Sequence, residues 1–124
     1  MSARILIVDD EEIVIRSCRR ILSDSQLYAV DSTQDGADAL RRVDESEYDL
    51  LVLDIMMPGI DGLEVLQQVK ERHPDVDVIM VTGLSQIQTA VKAMKLGAFD
   101  YLLKPIRIEK LIERIGDALK KVSN

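Results

Sequence analysis

Five polar residues stand where apolar runs end. Ile5-Leu6-Ile7-Val8 stops at Asp9-Asp10, and Leu50-Leu51-Val52-Leu53 stops at Asp54. Val78-Ile79-Met80-Val81 stops at Thr82, and Leu102-Leu103 stops at Lys104-Pro105. Ligands of an open parallel sheet bind outside the carboxyl ends of its strands, so these side chains would gather at one spot. The adjacent carboxylates of Asp9 and Asp10 repel, and each raises the other's pKa unless a cation intervenes. Mg²⁺ relieves such a cluster, because it takes a few carboxylates, several waters and phosphate oxygens. Asp54 ends a wholly apolar strand and can act as a carboxylate nucleophile, becoming an aspartyl phosphate. It needs no general base, being already ionised at neutral pH. The Thr82 hydroxyl can donate to a phosphoryl oxygen, and Gly83 behind it lets the backbone approach. Lys104 brings one mobile positive charge. Pro105 can hold a cis bond that would aim Lys104 inward. The chemistry indicated is metal-assisted phosphoryl transfer centred on Asp54.

Each residue also has a plainer explanation. Acids in a first helical turn favour the helix dipole, which accounts for Glu11 and Glu12. Asp54 alone could feed a turn at Pro58-Gly59, and Thr at a strand end or Lys before Pro is unremarkable. The functional reading rests on four strand ends agreeing at once. Other candidates are weaker. His73, beside Pro74, reads as a lone surface histidine, and Cys18 on an apolar helical face reads as core. Met56 and Met57 would shield the loop after Asp54, and Gly62 would serve the tight start of a helix.

The elements that must position these residues alternate throughout. Strands are expected at Leu6–Val8, Tyr28–Val30, Leu50–Leu53, Asp77–Val81 and Phe99–Leu103. Between them, helical spacing links Val14, Cys18, Ile21 and Leu22, then Ala37, Leu40 and Val43, then Leu63, Leu66 and Val69. Asp61 with Glu64 marks the third helix start. Ser85 with Gln88 predicts a capping box ahead of Ile87, Val91 and Met94, and Gly97 fits a left-handed stop. Ile108, Leu111, Ile112, Ile115 and Leu119 form the closing helix. Because Leu50–Leu53 is apolar at every position, both faces of that strand should be covered. Five strands alternating with five helices argue a parallel α/β sheet with helices on both faces.

At 124 residues the chain fits one domain, with no linker, repeat or second domain in its pattern. Hydrophobic residues make up 47% and charged residues 31%, which suits a globular rather than a disordered chain. The formal net charge of −6 weighs against direct nucleic-acid binding, which needs a basic face. No apolar run approaches a membrane span, and Met1-Ser2-Ala3-Arg4 leads straight into a strand with no signal-peptide pattern. The single cysteine suits a reducing cytosol, so a cytoplasmic location is expected.

With these residues in place, the chain resembles the receiver domain of two-component response regulators over essentially its whole length. The resemblance is carried by Ile5-Leu6-Ile7-Val8-Asp9-Asp10, by Asp54-Ile55-Met56-Met57-Pro58-Gly59-Ile60-Asp61-Gly62, by Val81-Thr82-Gly83 and by Asp100-Tyr101-Leu102-Leu103-Lys104-Pro105. It implies a flavodoxin-like (βα)5 fold with strand order 2-1-3-4-5 and a single receiver domain over residues 1–124, with no output domain in this chain. It implies that Asp54 accepts a phosphoryl group from a phosphohistidine on a sensor histidine kinase. Asp10, Asp54 and the Met56 backbone carbonyl would ligate Mg²⁺, with Asp9 acting mainly through water. Lys104 would pair with Asp54 at rest and with the phosphoryl group afterwards. Thr82 would shift toward that group, and Tyr101, at the family's aromatic switch position, would turn inward behind it. The fourth helix, fifth strand and fifth helix, from about Ser85 to Val122, would read out the change to an output domain, a downstream partner or a second copy.

The stretch Gln88-Thr89-Ala90-Val91-Lys92-Ala93-Met94-Lys95-Leu96-Gly97-Ala98-Phe99-Asp100-Tyr101-Leu102 is most similar to receivers of enhancer-binding, nitrogen-regulator-like transcriptional activators. Met56 and Leu84, two residues beyond Asp54 and Thr82, would crowd the phosphoryl group and slow its hydrolysis. Two alternatives compete with the switch. A haloacid-dehalogenase-like phosphatase also uses an Asp nucleophile and Mg²⁺, but expects a second Asp two residues on, where this chain has Met56. A phosphorylation-independent module of the same fold commonly lacks one of the acids, Thr or Lys, and this chain lacks none.

Overall fold

Successive residues of a strand point to opposite faces, so an apolar strand needs a cover on each side. In the computed structural model, which describes residues 3–120, both covers are present. The elements are β1 (Ala3–Val8), α1 (Glu12–Asp24), β2 (Tyr28–Thr33), α2 (Gly36–Glu45), β3 (Leu50–Leu53), α3 (Gly62–Arg72), β4 (Asp77–Thr82), α4 (Ile87–Lys95), β5 (Asp100–Leu103) and α5 (Ile108–Lys120). All strand pairs are parallel, in the order β2-β1-β3-β4-β5. This is the flavodoxin-like arrangement expected from the sequence. Leu6, Val8, Leu51, Leu53, Val78 and Met80 pack with α2 and α3 on one face. Their neighbours Ile5, Ile7, Leu50, Val52, Ile79 and Val81 pack with α1 and α5 on the other. Each fully buried Leu, Ile or Val contributes about 1.5–3 kcal/mol relative to exposure, which makes a one-residue register slip very costly.

Local signals set most boundaries. Asp61 Oδ1 accepts from Glu64 N–H at 3.0 Å, so α3 starts as predicted. Gly97 has φ +106°; Gly97 N–H donates to Met94 O and Ala98 N–H to Ala93 O, both at 3.1 Å. That is a Schellman stop, closing the last carbonyls of α4.

Four local expectations need correction. The Ser85–Gln88 capping box does not form: Gln86 is the N-cap, without a side-chain cap bond, and α4 begins one residue too late for Ser85 to reach it. In α2 the inward face is Gly36, Ala39, Leu40 and Val43, and Ala37 is exposed. The Asp35 cap at Ala37 N–H starts the helix at Gly36 and so sets that phase. Strand β2 runs on to Thr33, because its polar residues Asp31 and Ser32 still pair with the buried Leu6 and Ile7. Conversely, β5 starts at Asp100, one residue after Phe99. No helix among the described residues is long and apolar enough to cross a membrane. Met1, Ser2 and the end of the expected read-out face at Val122 lie outside the described residues.

Candidate functional site

The strand order reverses between β1 and β3: β2 lies on one side of β1, while β3, β4 and β5 lie on the other. Such a switch point opens a crevice at the carboxyl ends of the two strands. Asp9 and Asp54 are the first residues beyond those ends. Their backbones continue the ladder, with Asp9 N–H donating to Thr33 O at 3.2 Å and Asp54 N–H to Val8 O at 2.9 Å. Both carboxylates are therefore fixed by the sheet, and both residues are buried.

The two acids are held in the same way. Asp9 Oδ1 accepts from Glu11 N–H at 2.9 Å, and Asp54 Oδ1 accepts from Met56 N–H at 3.1 Å. The second oxygen of each meets Lys104 Nζ, at 2.9 Å in both cases. Glu11 Oε1 completes the ammonium's surroundings at 2.7 Å. Lys104 is set by the end of β5, where its N–H donates to Thr82 O at 2.8 Å, and the Lys104–Pro105 peptide is cis. Burial by itself would lower the Lys104 pKa. Hydrogen bonds to Glu11, Asp9 and Asp54 outweigh that and raise it, so the residue is firmly cationic. Burial pushes the Asp9 carboxyl up, against the opposing pull of Lys104 and the Glu11 N–H.

One carboxylate oxygen from each of Asp9, Asp10, Glu11 and Asp54 lies within 4.8 Å of the others. This all-oxygen set fits a hard divalent cation such as Mg²⁺ better than a softer metal. Thr82 ends β4, fully buried, and its Oγ1 accepts from Leu84 N–H at 3.4 Å. Tyr101 on β5 donates its hydroxyl to Leu84 O at 2.7 Å. Its phenol pKa is raised by burial and then by the Asp54 charge.

The model of the response regulator receiver domain matches residues 5–116. The chain belongs to the response regulator receiver family. It is 39% identical over 123 residues to the response regulator MprA of Mycobacterium sp. (strain KMS), covering 99% of this chain and 53% of that protein. A CheY-like receiver domain protein from Methanospirillum hungatei JF-1 superposes with a TM-score of 0.93 at 30% identity, covering 98% of this chain and 96% of that one. NtrX from Brucella abortus, crystallised in complex with ADP, is 36% identical with a TM-score of 0.88, covering 98% of this chain and 28% of that one. This receiver thus spans about half the length of the curated relatives it matches.

The receiver fold brings Asp9, Asp54 and Lys104 into direct contact and places Asp10 beside them. Thr82 and Tyr101 meet Leu84 from two adjacent strands. Met56 touches Asp54 through its N–H, while its side chain is mostly exposed. Met57, by contrast, is buried in the core beneath the loop. Glu11 is the site residue that sequence reasoning assigned mostly to the helix dipole. It is the N-cap of α1 but makes no side-chain cap bond, and reaches Lys104 instead. A long acid at an N-cap position, where Ser, Thr, Asp and Asn are preferred, was the available signal. His73 is not a lone surface group: its Nε2 lies 2.7 Å from Asp44 Oδ1, and Asp44 also holds Arg72 at 2.8 Å. Gly83 is exposed, with nothing within 4 Å of an added Cβ, so packing does not require it.

Proposed function

We propose that this receiver accepts a phosphoryl group on Asp54 from a phosphohistidine of a sensor histidine kinase and passes the change to an output domain or partner. The observation that carries this is the Lys104 ammonium held between two buried carboxylates at the sheet's switch point. In the step, an Asp54 carboxylate oxygen forms the new bond to phosphorus. The phosphorus–nitrogen bond breaks, and the imidazole leaves with its electron pair. Lys104 Nζ, already 2.9 Å from Asp54, balances the incoming charge of about −2. Asp10, Asp54 and the Met56 carbonyl would hold Mg²⁺ directly, with Asp9 acting through water. Bound there, Mg²⁺ supplies charge neutralisation for the phosphoryl oxygens.

Thr82 would move its hydroxyl toward the phosphoryl group, and Tyr101 would follow through Leu84. The read-out face is α4, β5 and α5, whose apolar residues Ile87, Val91, Met94 and Leu103 are exposed at 79, 45, 47 and 47%. Such a patch suits docking to a partner or a second copy. The net charge of −6 supports a protein partner over nucleic acid for this domain, with transcription controlled through the output region. We place the protein in the cytoplasm and regard it as a phosphoacceptor switch, with at most slow self-dephosphorylation, rather than an enzyme.

Acetyl phosphate with Mg²⁺ tests the acceptor. Intact mass should rise by one phosphoryl group, and Asp54→Asn should show no gain. No gain in the unaltered protein, or an equal gain in Asp54→Asn, overturns the proposal.

A further inference from the structure

We infer that Gly36, at the start of α2, is a positioning residue for the β3–α3 loop, the segment that carries Asp54 and Met56. This rests on the phosphoacceptor and metal-holding roles proposed for that loop. Glycine in a helix is destabilising relative to alanine, and Gly36 is the first residue of α2, behind the N-cap Asp35. Its backbone is not left-handed, so conformation does not call for glycine. The surrounding space explains it instead. A Cβ built on Gly36 would lie 2.8 Å from Ile60 O and 2.9 Å from Val65 Cγ2, both inside the 3.0 Å that real Cβ atoms respect. Ile60 belongs to the loop and Val65 to α3. The start of α2 therefore meets the loop and α3 this closely only because residue 36 has no side chain.

The loop has no slack to absorb a push. Ile55 O accepts from Met57 N–H at 3.1 Å and from Gly62 N–H at 3.0 Å, which ties the loop's two ends together. Gly62 itself rests on Asp54 O, with no room for a Cβ between them. Asp54 Oδ1 in turn holds Met56 N–H at 3.1 Å. On the other side of the contact, Asp35 caps α2, and Ala39, Leu40 and Val43 seat that helix in the core, whereas Pro58, Gly59 and Asp61 of the loop are exposed. A methyl group at position 36 thus displaces the loop rather than α2, and the push travels through residues 60–62 to Asp54 and Met56. None of the three atoms nearest that Cβ belongs to Asp54 or Met56, so the effect is transmitted rather than direct.

Backbone amide resonances of the unmodified, metal-free protein test this, with Mg²⁺ affinity by calorimetry as the second measurement. In Gly36→Ala the Asp54 and Met56 amides should shift, and Mg²⁺ should bind on the order of tenfold more weakly, the low end for residues that orient metal ligands. Ala37→Gly is the control: Ala37 is exposed in the same helical turn, so that variant weakens α2 without adding bulk toward the loop. It should melt at a lower temperature and leave both readouts unchanged, which separates positioning from a general loss of stability. Unmoved Asp54 and Met56 amides in Gly36→Ala overturn the inference, as does unchanged affinity where the unaltered protein binds Mg²⁺, or an equal effect from Ala37→Gly. If Gly36→Ala does not fold even with Gly116→Ala added to strengthen α5, where an added Cβ meets nothing, the contact serves the whole fold and the inference also fails. If the unaltered protein binds no Mg²⁺, the metal-holding proposal fails, and the amide shifts still decide the role of Gly36.

Discussion

Gly62 is predicted to be the glycine on which the acceptor's position depends. A Cβ built there would lie 2.1 Å from Asp54 O, 2.7 Å from Ile55 Cα and 2.8 Å from the Asp54 carbonyl carbon, all inside the 3.0 Å that real Cβ atoms respect. Ordinary overpacking costs about 1–3 kcal/mol when side chains can move aside. Here every obstructing atom is backbone, so Gly62→Ala should cost about 3 kcal/mol or more. For a domain of this size that is a fall in melting temperature of roughly 10 °C. The chain can relieve the clash only by moving α3 or the backbone of Asp54 itself. A displacement of about 1 Å in a reacting group can cost on the order of 100-fold in rate, so phosphoryl uptake from acetyl phosphate should fall by up to that factor even where the protein stays folded. Two other glycines serve as internal controls, each with nothing within 4 Å of an added Cβ. Gly116→Ala, inside α5, should stabilise by about 0.5–1 kcal/mol through helix propensity. Gly83→Ala should change stability by no more than about 0.5 kcal/mol. Thermal melts of the three variants, followed by circular dichroism and paired with uptake rates, check the series. If Gly62→Ala melts like the unaltered protein and takes up phosphoryl groups at the same rate, the steric argument is wrong.

Asp9→Asn should stabilise the protein near neutral pH in EDTA, because burial disfavours the charged carboxylate there. Burial raises the Asp9 carboxyl from its ordinary value of 3.8. Its favourable contribution is therefore present below that value and lost as pH rises through the raised one. Urea midpoints should show the variant's advantage shrinking as the medium is acidified, and an advantage that grows on acidification would contradict the sign. Cys18, whose thiol burial pushes up to about 11, should alkylate at mildly alkaline pH on the order of 100-fold more slowly in the native state than in urea; equal rates by mass spectrometry would refute this. If Met56 and Leu84 flank the proposed acceptor as the sequence suggests, phosphoryl loss should take many minutes or longer. A half-life of seconds, unchanged by Asn at both positions, would sink that idea.

The parts of this receiver that sequence made legible are those set by local period and by strand ends. Apolar residues on both faces of β1, β3 and β4 required two helical layers, and the polar residues closing those strands had to share one rim. What sequence left open depends on three-dimensional reach. Glu11 looked like a dipole acid because nothing local reveals that Lys104, 93 residues away, lies 2.7 Å from it. His73 looked solitary because its partner, Asp44, comes from the neighbouring helix, 29 positions back. The Ile87, Val91 and Met94 stripe has good helical spacing, yet α4 buries only Ala93. Periodicity identifies an amphipathic helix; it does not say whether the apolar side meets this core or something else.

That outward-facing stripe lies close in connectivity to Asp54, the proposed acceptor. Lys104 and Tyr101 are three residues apart on and just beyond β5. Lys104 pairs its side chain with Asp54 and its N–H with Thr82 O, while Tyr101 reaches Leu84 O across the same strand pair. Leu84 in turn donates its N–H to Thr82 Oγ1 and leads, within three residues, into Ile87 and α4. On the proposed mechanism, a phosphoryl group that drew on Thr82 would disturb one anchor of the Leu84 segment directly, and one that drew on Lys104 would pull on the end of β5, the strand that carries the other anchor, Tyr101. Leu84 packs partly buried against the core while Gly83, Ser85 and Gln86 are exposed, so these hydrogen bonds, at about 0.5–1.5 kcal/mol each, share with that one side chain in fixing the segment. A coupling of that size suits a switch, because it biases two arrangements of a surface without threatening the fold. The buried sheet fixes Asp54, and α4, which buries only Ala93, is the element that the proposed switch would have to move.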